Sequence, residues 1–446
     1  MTRSIAPANL SDMLKRKLPA ATLALLDAIV KKAAQQGAPI YLVGGCVRDL
    51  LLGRPNLDLD LVLEGDAIQL GRTLTKQLGG RLVAHKTFGT AVWWLPENQA
   101  RFLRELSVSR KKNARLPEFF DLITARRESY RYPAALPSVQ FASIREDQYR
   151  RDFTINTMAV RLDGADAGRL LDPWGGLQDL RSGLLRTLHR LSFSDDPTRI
   201  LRILRLADRL GFRIENETRS QLAAHLPVLK QVSGERIRNE LELVLLAKEK
   251  VRILRSMQKL GVLRTIHPSL RISRESSRAL TPHADKVVPP FWNLGNFRQS
   301  DLGFVLWLME FSKGDVQAIA TRLAFRADLR EAVLAAAELH QMKAKIPRLS
   351  VSKLVELLES KPIISVYALY LAKRDSALAR RLKLYASKWR HVHPRTDGNA
   401  LRKLGLPPGP HYKLVLSQLR DAWLDGDVRT IKQEKLLLEK LLNEYR

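Results

Sequence analysis

Two carboxylates at alternate positions, Asp58 and Asp60, stand in the run Leu57-Asp58-Leu59-Asp60-Leu61-Val62-Leu63, shortly after a Gly44-Gly45 pair and Arg48. On an extended segment residues at period two share a face. Two such carboxylates repel each other unless a cation sits between them, and hard oxygen ligands suit Mg²⁺. Asp58 and Asp60 are therefore candidate metal ligands. Gly44-Gly45 lets the chain turn sharply with no Cβ between its N–H groups and a ligand. A helix expected over Cys46–Leu52 would offer the positive end of its dipole, and Arg48 a charge in its first turn. Such a group of residues suits a metal-bound triphosphate.

These residues need a sheet to hold them. Ile40–Val43 is apolar and β-branched enough for a buried strand, and Leu57–Leu63 reads as a second. Leu82–His85, Thr90–Leu95, Phe119–Thr124 and Met158–Leu162 also read as strands, and Ala67–Leu78 as a helix. Ser11 is expected to cap a helix running through Leu14, Leu18 and Leu23–Ala34 and ending at Gln36-Gly37. Beyond Leu180 apolar residues recur at helical spacing in Ile200–Leu210, Glu235–Ala247, Val251–Leu260, Leu302–Phe311, Leu329–Lys343 and Leu414–Leu442. An α+β head followed by a helical remainder is expected. Ser273–Trp292 and His391–Pro410 read as linkers.

Asp121 interrupts the apolar run Phe119–Ile123. It either supplies a third carboxylate from a neighbouring strand, or ends an edge strand, or pairs with Arg126 or Arg127. Further on, Asp195-Asp196-Pro197-Thr198-Arg199 opens a helix in which Asp195 or Asp196 caps and Pro197 occupies the first turn. Arg199, Arg202 and Arg205 follow at intervals of three. Such a stripe needs anionic or hydrogen-bonding partners.

The pattern LVGG-x-VRD-x-LLG followed by D-x-D resembles the active-site signature of bacterial class II CCA-adding enzymes and poly(A) polymerases, within the DNA polymerase beta-like nucleotidyltransferases. DLITARRESY, RRDFTINTMA, LDPWGGL, DDPTRILRILRLADRLGF and ERIRNEL follow in that family's order. The resemblance implies a nucleotidyltransferase head with a mixed sheet and helices, then an all-α neck, body and tail. The expected divisions are a helical lead at 1–37, the head at 38–180, the neck with its nucleotide-templating helix at 181–270, and an RNA-binding body and tail at 271–446.

It also implies roles. Asp58, Asp60 and Asp121 would be catalytic, with Mg²⁺ held by Asp58 and Asp60. Gly44, Gly45 and Arg48 would meet the triphosphate, Arg151 and Asp152 would bridge nucleotide and scaffold, and Asn156 would contact sugar or phosphate. Asp196 and Arg199 would face the Watson–Crick edge of the incoming base, so that the protein serves as template. Arg202 and Arg205 would lie nearer phosphate or structural carboxylates. The implied reaction is transfer of CMP or AMP, or both, from CTP and ATP to the acceptor end of tRNA. Poly(A) synthesis and a catalytically silent RNA-binding protein are the alternatives. Between TARRE and RRDFT, where the family places a loop that switches base choice, Pro133-Ala134-Ala135-Leu136-Pro137 replaces a more charged segment, as in relatives specialised for A or CC addition.

Charge agrees with an RNA partner. Lys and Arg number 75 against 46 Asp and Glu, a formal net charge of +29, which favours a polyanion through counterion release. An anionic membrane is the competitor, but no apolar run approaches a spanning helix and no signal-peptide pattern is present. MTRSIAPANL reads as a disordered lead. The single Cys46 excludes an intrachain disulfide and fits a reducing, cytoplasmic setting; it reads as a small packing residue. The histidines lack zinc spacing, and His85 and His189 read as structural.

Overall fold

The computed structural model describes residues 9–54, 56–98, 116–135, 137–281, 288–374 and 376–443, and the chain divides into two compact units, 1–232 and 233–446. The boundary falls inside the segment expected as the neck. Most of the proposed disordered lead, and Leu136 of the proline-bearing loop, lie outside the described residues.

In the first unit two helices, α1 (Ser11–Lys17) and α2 (Ala20–Gln35), precede strand β1 (Ile40–Val43). A single helix capped by Ser11 was the expectation, and both parts need correction. Leu10 occupies the cap position without a side-chain bond, Ser11 N–H donates to Asn9 Oδ1, and the helix breaks at Leu18-Pro19. Proline disfavours helical geometry at the residue before it, and Leu18 is extended at ψ 144°. Gly37, at φ +66°, ends α2 as expected.

β1 is wholly buried and is followed by α3 (Gly45–Leu51), β2 (Leu59–Leu63), α4 (Ala67–Leu78), β3 (Arg81–His85), β4 (Thr90–Trp94) and β5 (Phe119–Thr124). β6 (Arg126–Ser129) and β7 (Ser138–Phe141) form a separate hairpin, and β8 (Ala159–Arg161) and β9 (Leu170–Leu171) complete the main sheet, whose order is β3-β4-β5-β2-β1-β8-β9. Only β2 and β5 run parallel among its pairs; the other neighbours are antiparallel. The hairpin escaped the sequence reading because Arg126–Ser129 carries no apolar alternation. Its polar side chains are held instead by pairs such as Arg126 with Glu128 and Arg127 with Gln140.

Register places the candidate residues. Val43, the last residue of β1, pairs with Asp60 on one side and Ala159 on the other. The Gly44 turn therefore leaves the sheet between D-x-D and the end of RRDFTINTMA, and Gly44 N–H donates to Met158 O at 3.2 Å. Asp121 sits opposite Asp60 in the parallel β2–β5 ladder, and β5 is an interior strand. Asp58, expected inside the strand with Asp60, lies one residue before it and is exposed.

The second unit is helical, including Gly234–Leu246, Lys250–Lys259, Gln299–Leu308, Ala327–Gln341 and Ile363–Ala372. The pattern at Leu414–Leu442 is two helices, Pro410–Asp425 and Ile431–Asn443, because Gly426 adopts the left-handed conformation at φ +87° and stops the first. The expected linkers are partly helical: Arg274–Ala279 starts with a Ser273–Ser276 capping box, and Asp397 caps Gly398–Lys403 by accepting from Ala400 N–H. The buried Glu434 carboxylate accepts from Thr396 N–H, Thr396 Oγ1 and Trp423 Nε1, which ties that turn to the last helix. Among the described residues no helix is long and apolar enough to cross a membrane.

Candidate active site

A cavity of about 550 Å³ in the first unit is lined by Gly44, Gly45, Arg48, Asp58, Asp60, Arg151, Asp152, Asn156, Asp196, Arg199, Arg202 and Arg205. Every candidate from the sequence except Asp121 thus reaches one cavity. Asp121 stays close through its register with Asp60, and Asp58 raises its carboxyl pKa after burial does. The alternative pairing of Asp121 with Arg126 or Arg127 is not formed: Arg126 engages Glu128 and the carbonyl of Phe88, and Arg127 engages Gln140.

Gly44 is at φ +75°, where a side chain would be strained, and the space beside it is tight. A Cβ there would lie 3.0 Å from Arg151 Nη1 and 3.4 Å from Asp60 Oδ2. The turn, the arginine and the carboxylate therefore converge. Burial lifts the Asp60 carboxyl to about 6; Arg151 pulls it down, while Asp121 and Asp58 push it further up. Asp58, Asp60 and Asp121, with Asp60 and Asp121 both raised by burial and by their acidic neighbours, form a donor set suited to a divalent cation. Among the described residues no three acidic, His or Cys side chains are already spaced as a metal cage. Cys46, buried beside this set, is pushed up to about 12, first by burial and then by Asp60 and Asp49. Its thiol stays protonated, in keeping with a packing role.

Across the cavity runs a chain of hydrogen bonds. Arg48 Nε donates to Asp49 Oδ1 at 2.8 Å and Arg48 Nη1 to Asn156 Oδ1; Asn156 Nδ2 donates to Asp152 Oδ1 at 2.9 Å. Arg202 donates to Asp152 Oδ2 through Nε at 3.0 Å and Nη2 at 2.8 Å. Burial alone would raise Asp152, but Arg202 and Asn156 hold its carboxyl at about 2. Asp152 thus anchors Asn156 and Arg202, and Arg48 is clamped between Asn156 and Asp49.

Arg150 and Arg151 would diverge on an extended segment, but they follow the helix Ile144–Tyr149, and both line the cavity. The residue that joins them is Asp147, which the sequence reading missed. Fully buried, it accepts from Arg150 Nη2 at 2.7 Å and Arg151 Nη2 at 2.9 Å. Burial opposes its charge, and the two arginines override burial and keep its carboxyl below the ordinary range. A spacing of three and four residues to adjacent arginines at a helix end was the available signal.

The arginine stripe belongs to the helix Arg199–Leu210, whose cap is Thr198. Neither acid caps that helix as expected. Asp196 Oδ1 instead accepts from Thr198 N–H at 3.0 Å and Thr198 Oγ1 at 2.6 Å, closing the turn before it, and Pro197 lies two residues ahead of Arg199, the first residue of the helix. Arg199 is buried: its Nη1 donates to Ser192 Oγ at 2.7 Å and its Nη2 to Arg150 O at 2.6 Å. Arg209, also missed, continues the stripe into the cavity and lies 4.0 Å from Asp49.

Comparison with known proteins agrees with this geometry. Residues 40–186 match the family described as the poly A polymerase head domain, and residues 211–272 match the probable RNA and SrmB-binding site of polymerase A. The A-adding tRNA nucleotidyltransferase of Geobacter sulfurreducens is 32% identical over 96% of this chain, which spans about half (48%) of that protein's length. The A-adding tRNA nucleotidyltransferase of Halalkalibacterium halodurans is 31% identical over 96% of this chain and 94% of its own. The Thermotoga maritima CCA-adding enzyme, solved in complex with tRNA, superposes with a TM-score of 0.70 at 29% identity over 98% of this chain and 99% of that one. The fold of residues 40–186 is that of a nucleotidyltransferase head. The chain belongs to the family of the tRNA nucleotidyltransferases and poly(A) polymerases.

Proposed function

We propose that this protein transfers nucleotides from ATP or CTP to the 3′ end of tRNA without a nucleic-acid template, and that AMP addition to an end already carrying CC is its reaction. The convergence of Gly44, Asp60 and Arg151 within one contact distance carries the nucleotidyl-transfer reading. The preference for AMP rests on two relatives named A-adding, each matching 96% of this chain. The short turn at Tyr132–Ala135, pinned by Ala134 N–H donating to Ser194 O at 3.1 Å, supports a base pocket of fixed shape.

Asp58 and Asp60, with Asp121 beside them, would hold Mg²⁺. Once bound, Mg²⁺ would lower the pKa of the attacking 3′-hydroxyl and neutralise the departing pyrophosphate. Gly44 and Gly45 leave room for phosphate against the backbone, and Arg48 and Arg151 supply positive charge held in place by Asn156, Asp49 and Asp147. Asp196 and Arg199 present an acceptor and a donor to the base edge. Asp152 fixes Asn156 and Arg202 and would bridge them to the nucleotide. The lead, head, neck, and body and tail at 1–37, 38–180, 181–270 and 271–446 are proposed as the functional parts, working in the cytoplasm, with the basic helical portion gripping the acceptor stem by shape and charge.

The test offers purified protein with Mg²⁺ three tRNAs, ending before CCA, after C and after CC, with ATP and CTP separately. Addition of one AMP to the CC end alone is expected. CMP addition would overturn the A-only reading, a long ladder with ATP on unrelated RNA would indicate poly(A) synthesis, and no incorporation would leave an RNA-binding protein.

A further inference from the structure

LDPWGGL has no part in the chemistry above, yet it is held rigidly. Asp172 accepts from Gly176 N–H at 2.7 Å and Leu177 N–H at 2.9 Å, Gly175 turns at φ +73°, and a Cβ on Gly176 would lie 2.2 Å from Thr154 O. The turn so fixed presents Trp174 to Tyr149, with ring centres 5.0 Å apart, and Tyr149 in turn lies 5.1 Å from the ring of His189. These three rings line a second cavity of about 560 Å³, chiefly apolar and within the range that holds small organic groups. Tyr149 is 44% exposed and the neighbouring Leu191 is 62% exposed, so the row of rings opens to solvent. An apolar opening of this kind is not explained by core packing.

We propose that Tyr149, Trp174 and His189 form a stacking site for an unpaired nucleobase of the acceptor RNA, next to the nucleotide cavity. The proposal rests on the RNA-directed reading above. Two features select this occupant. The cavity shares Glu128, Tyr130, Arg150 and Arg199 with the nucleotide cavity, so a strand delivering its end to one passes the other. Arg127 and Arg145 line it together with Glu146 and Asp195, and the phosphates flanking a stacked base need cations such as these two arginines. Aromatic faces accept any base, and single-stranded ends are the part of an RNA whose bases are free to stack. Burial holds the His189 imidazole below its ordinary pKa, so at neutral pH it is an uncharged ring. The site therefore grips a base without reading it and leaves base choice to Asp196 and Arg199.

The test measures binding of tRNA ending in CC by fluorescence anisotropy, with no nucleoside triphosphate, to the wild-type protein, Tyr149→Ala and Tyr149→Phe. Matching RNAs carry one abasic residue at each unpaired 3′ position in turn. Tyr149→Ala is expected to weaken binding about tenfold, as loss of one stacked base does, while Tyr149→Phe retains it and the KM for ATP stays unchanged. One abasic position should weaken wild-type binding comparably yet add no further loss in Tyr149→Ala. Unchanged affinity in Tyr149→Ala overturns the proposal, and so do losses that multiply at every abasic position. Because binding is read without turnover, an inactive protein would sink the proposed reaction while this site is still judged on its own.

Discussion

Arg199 Nη2 donates to the main-chain carbonyl of Arg150 at 2.6 Å. This bond ties the residue proposed to face the base edge to the backbone of the segment that carries Arg151, and thus to the Gly44 turn and Asp60. Ser192 Oγ takes the other end of the fork. A guanidinium held at two points has lost most of its freedom before any base arrives, so in the proposed role discrimination there would come from a preset shape rather than from adjustment.

Ser192→Ala removes one of these holds. A hydrogen bond to a charged group is worth about 1.5–3 kcal/mol, so the ratio of kcat/KM for ATP over CTP should fall by at least about tenfold. Affinity for tRNA should stay the same. Steady-state kinetics with each nucleotide checks this, and an unchanged ratio would remove Arg199 from base choice.

Asp58→Ala and Asp60→Ala should each abolish incorporation and spare RNA binding. Chelation should do the same to the wild-type protein, with added Mg²⁺ restoring activity. Primer extension together with a tRNA binding curve separates the two effects. Full activity in either variant would refute the metal-site assignment.

Asp147→Ala removes the buried carboxylate shared by the half-buried Arg150 and Arg151 and leaves Arg150 its pair with Glu128, at 3.0 Å. Breaking a buried pair in this way costs about 3–5 kcal/mol, which should appear as a lowered urea midpoint of the first unit. Asp147→Asn, which keeps an acceptor, should recover part of it. A midpoint equal to wild type would mean that the arginines find other partners.

The Asp152 carboxyl, ordinarily near 3.8, is held at about 2 in the folded protein. A depressed carboxylate stabilises the fold above its unfolded pKa and loses that contribution as pH falls through the folded value. Asp152 therefore supplies roughly 2 kcal/mol at neutral pH that disappears between about pH 4 and pH 2. The stability difference between wild type and Asp152→Asn, followed by denaturant unfolding at several pH values, should shrink across that window. A constant difference would contradict the ion pair with Arg202.

Much of the site was legible because it consists of short motifs whose spacing is itself geometry. Gly44-Gly45 states a turn and the three-residue arginine interval a helix face, whereas of D-x-D only Asp60 stands on the strand, with Asp58 just before it. Helix boundaries were less legible where a proline or a left-handed glycine decided them, as at Leu18-Pro19 and Gly426. The β6–β7 hairpin was not visible at all, since Arg126–Ser129 carries no apolar alternation to mark it as a strand. Asp147 was overlooked for a similar reason: nothing in REDQYRR says that its carboxylate is buried.

By itself the sequence determined the chemistry on offer: which residues carry charge, where the backbone must turn, and that a net charge of +29 favours a polyanionic partner. Only the tertiary structure decided which of these groups meet. Parallel pairing of β2 with β5 sets Asp121 beside Asp60, and the end of β1 puts the glycine turn between Asp60 and Met158. The bonds from Asp49 through Arg48, Asn156 and Asp152 to Arg202 join residues more than a hundred positions apart. Such partners are chosen by strand register and burial, which are properties of the whole folded unit and are written in no local stretch of chain.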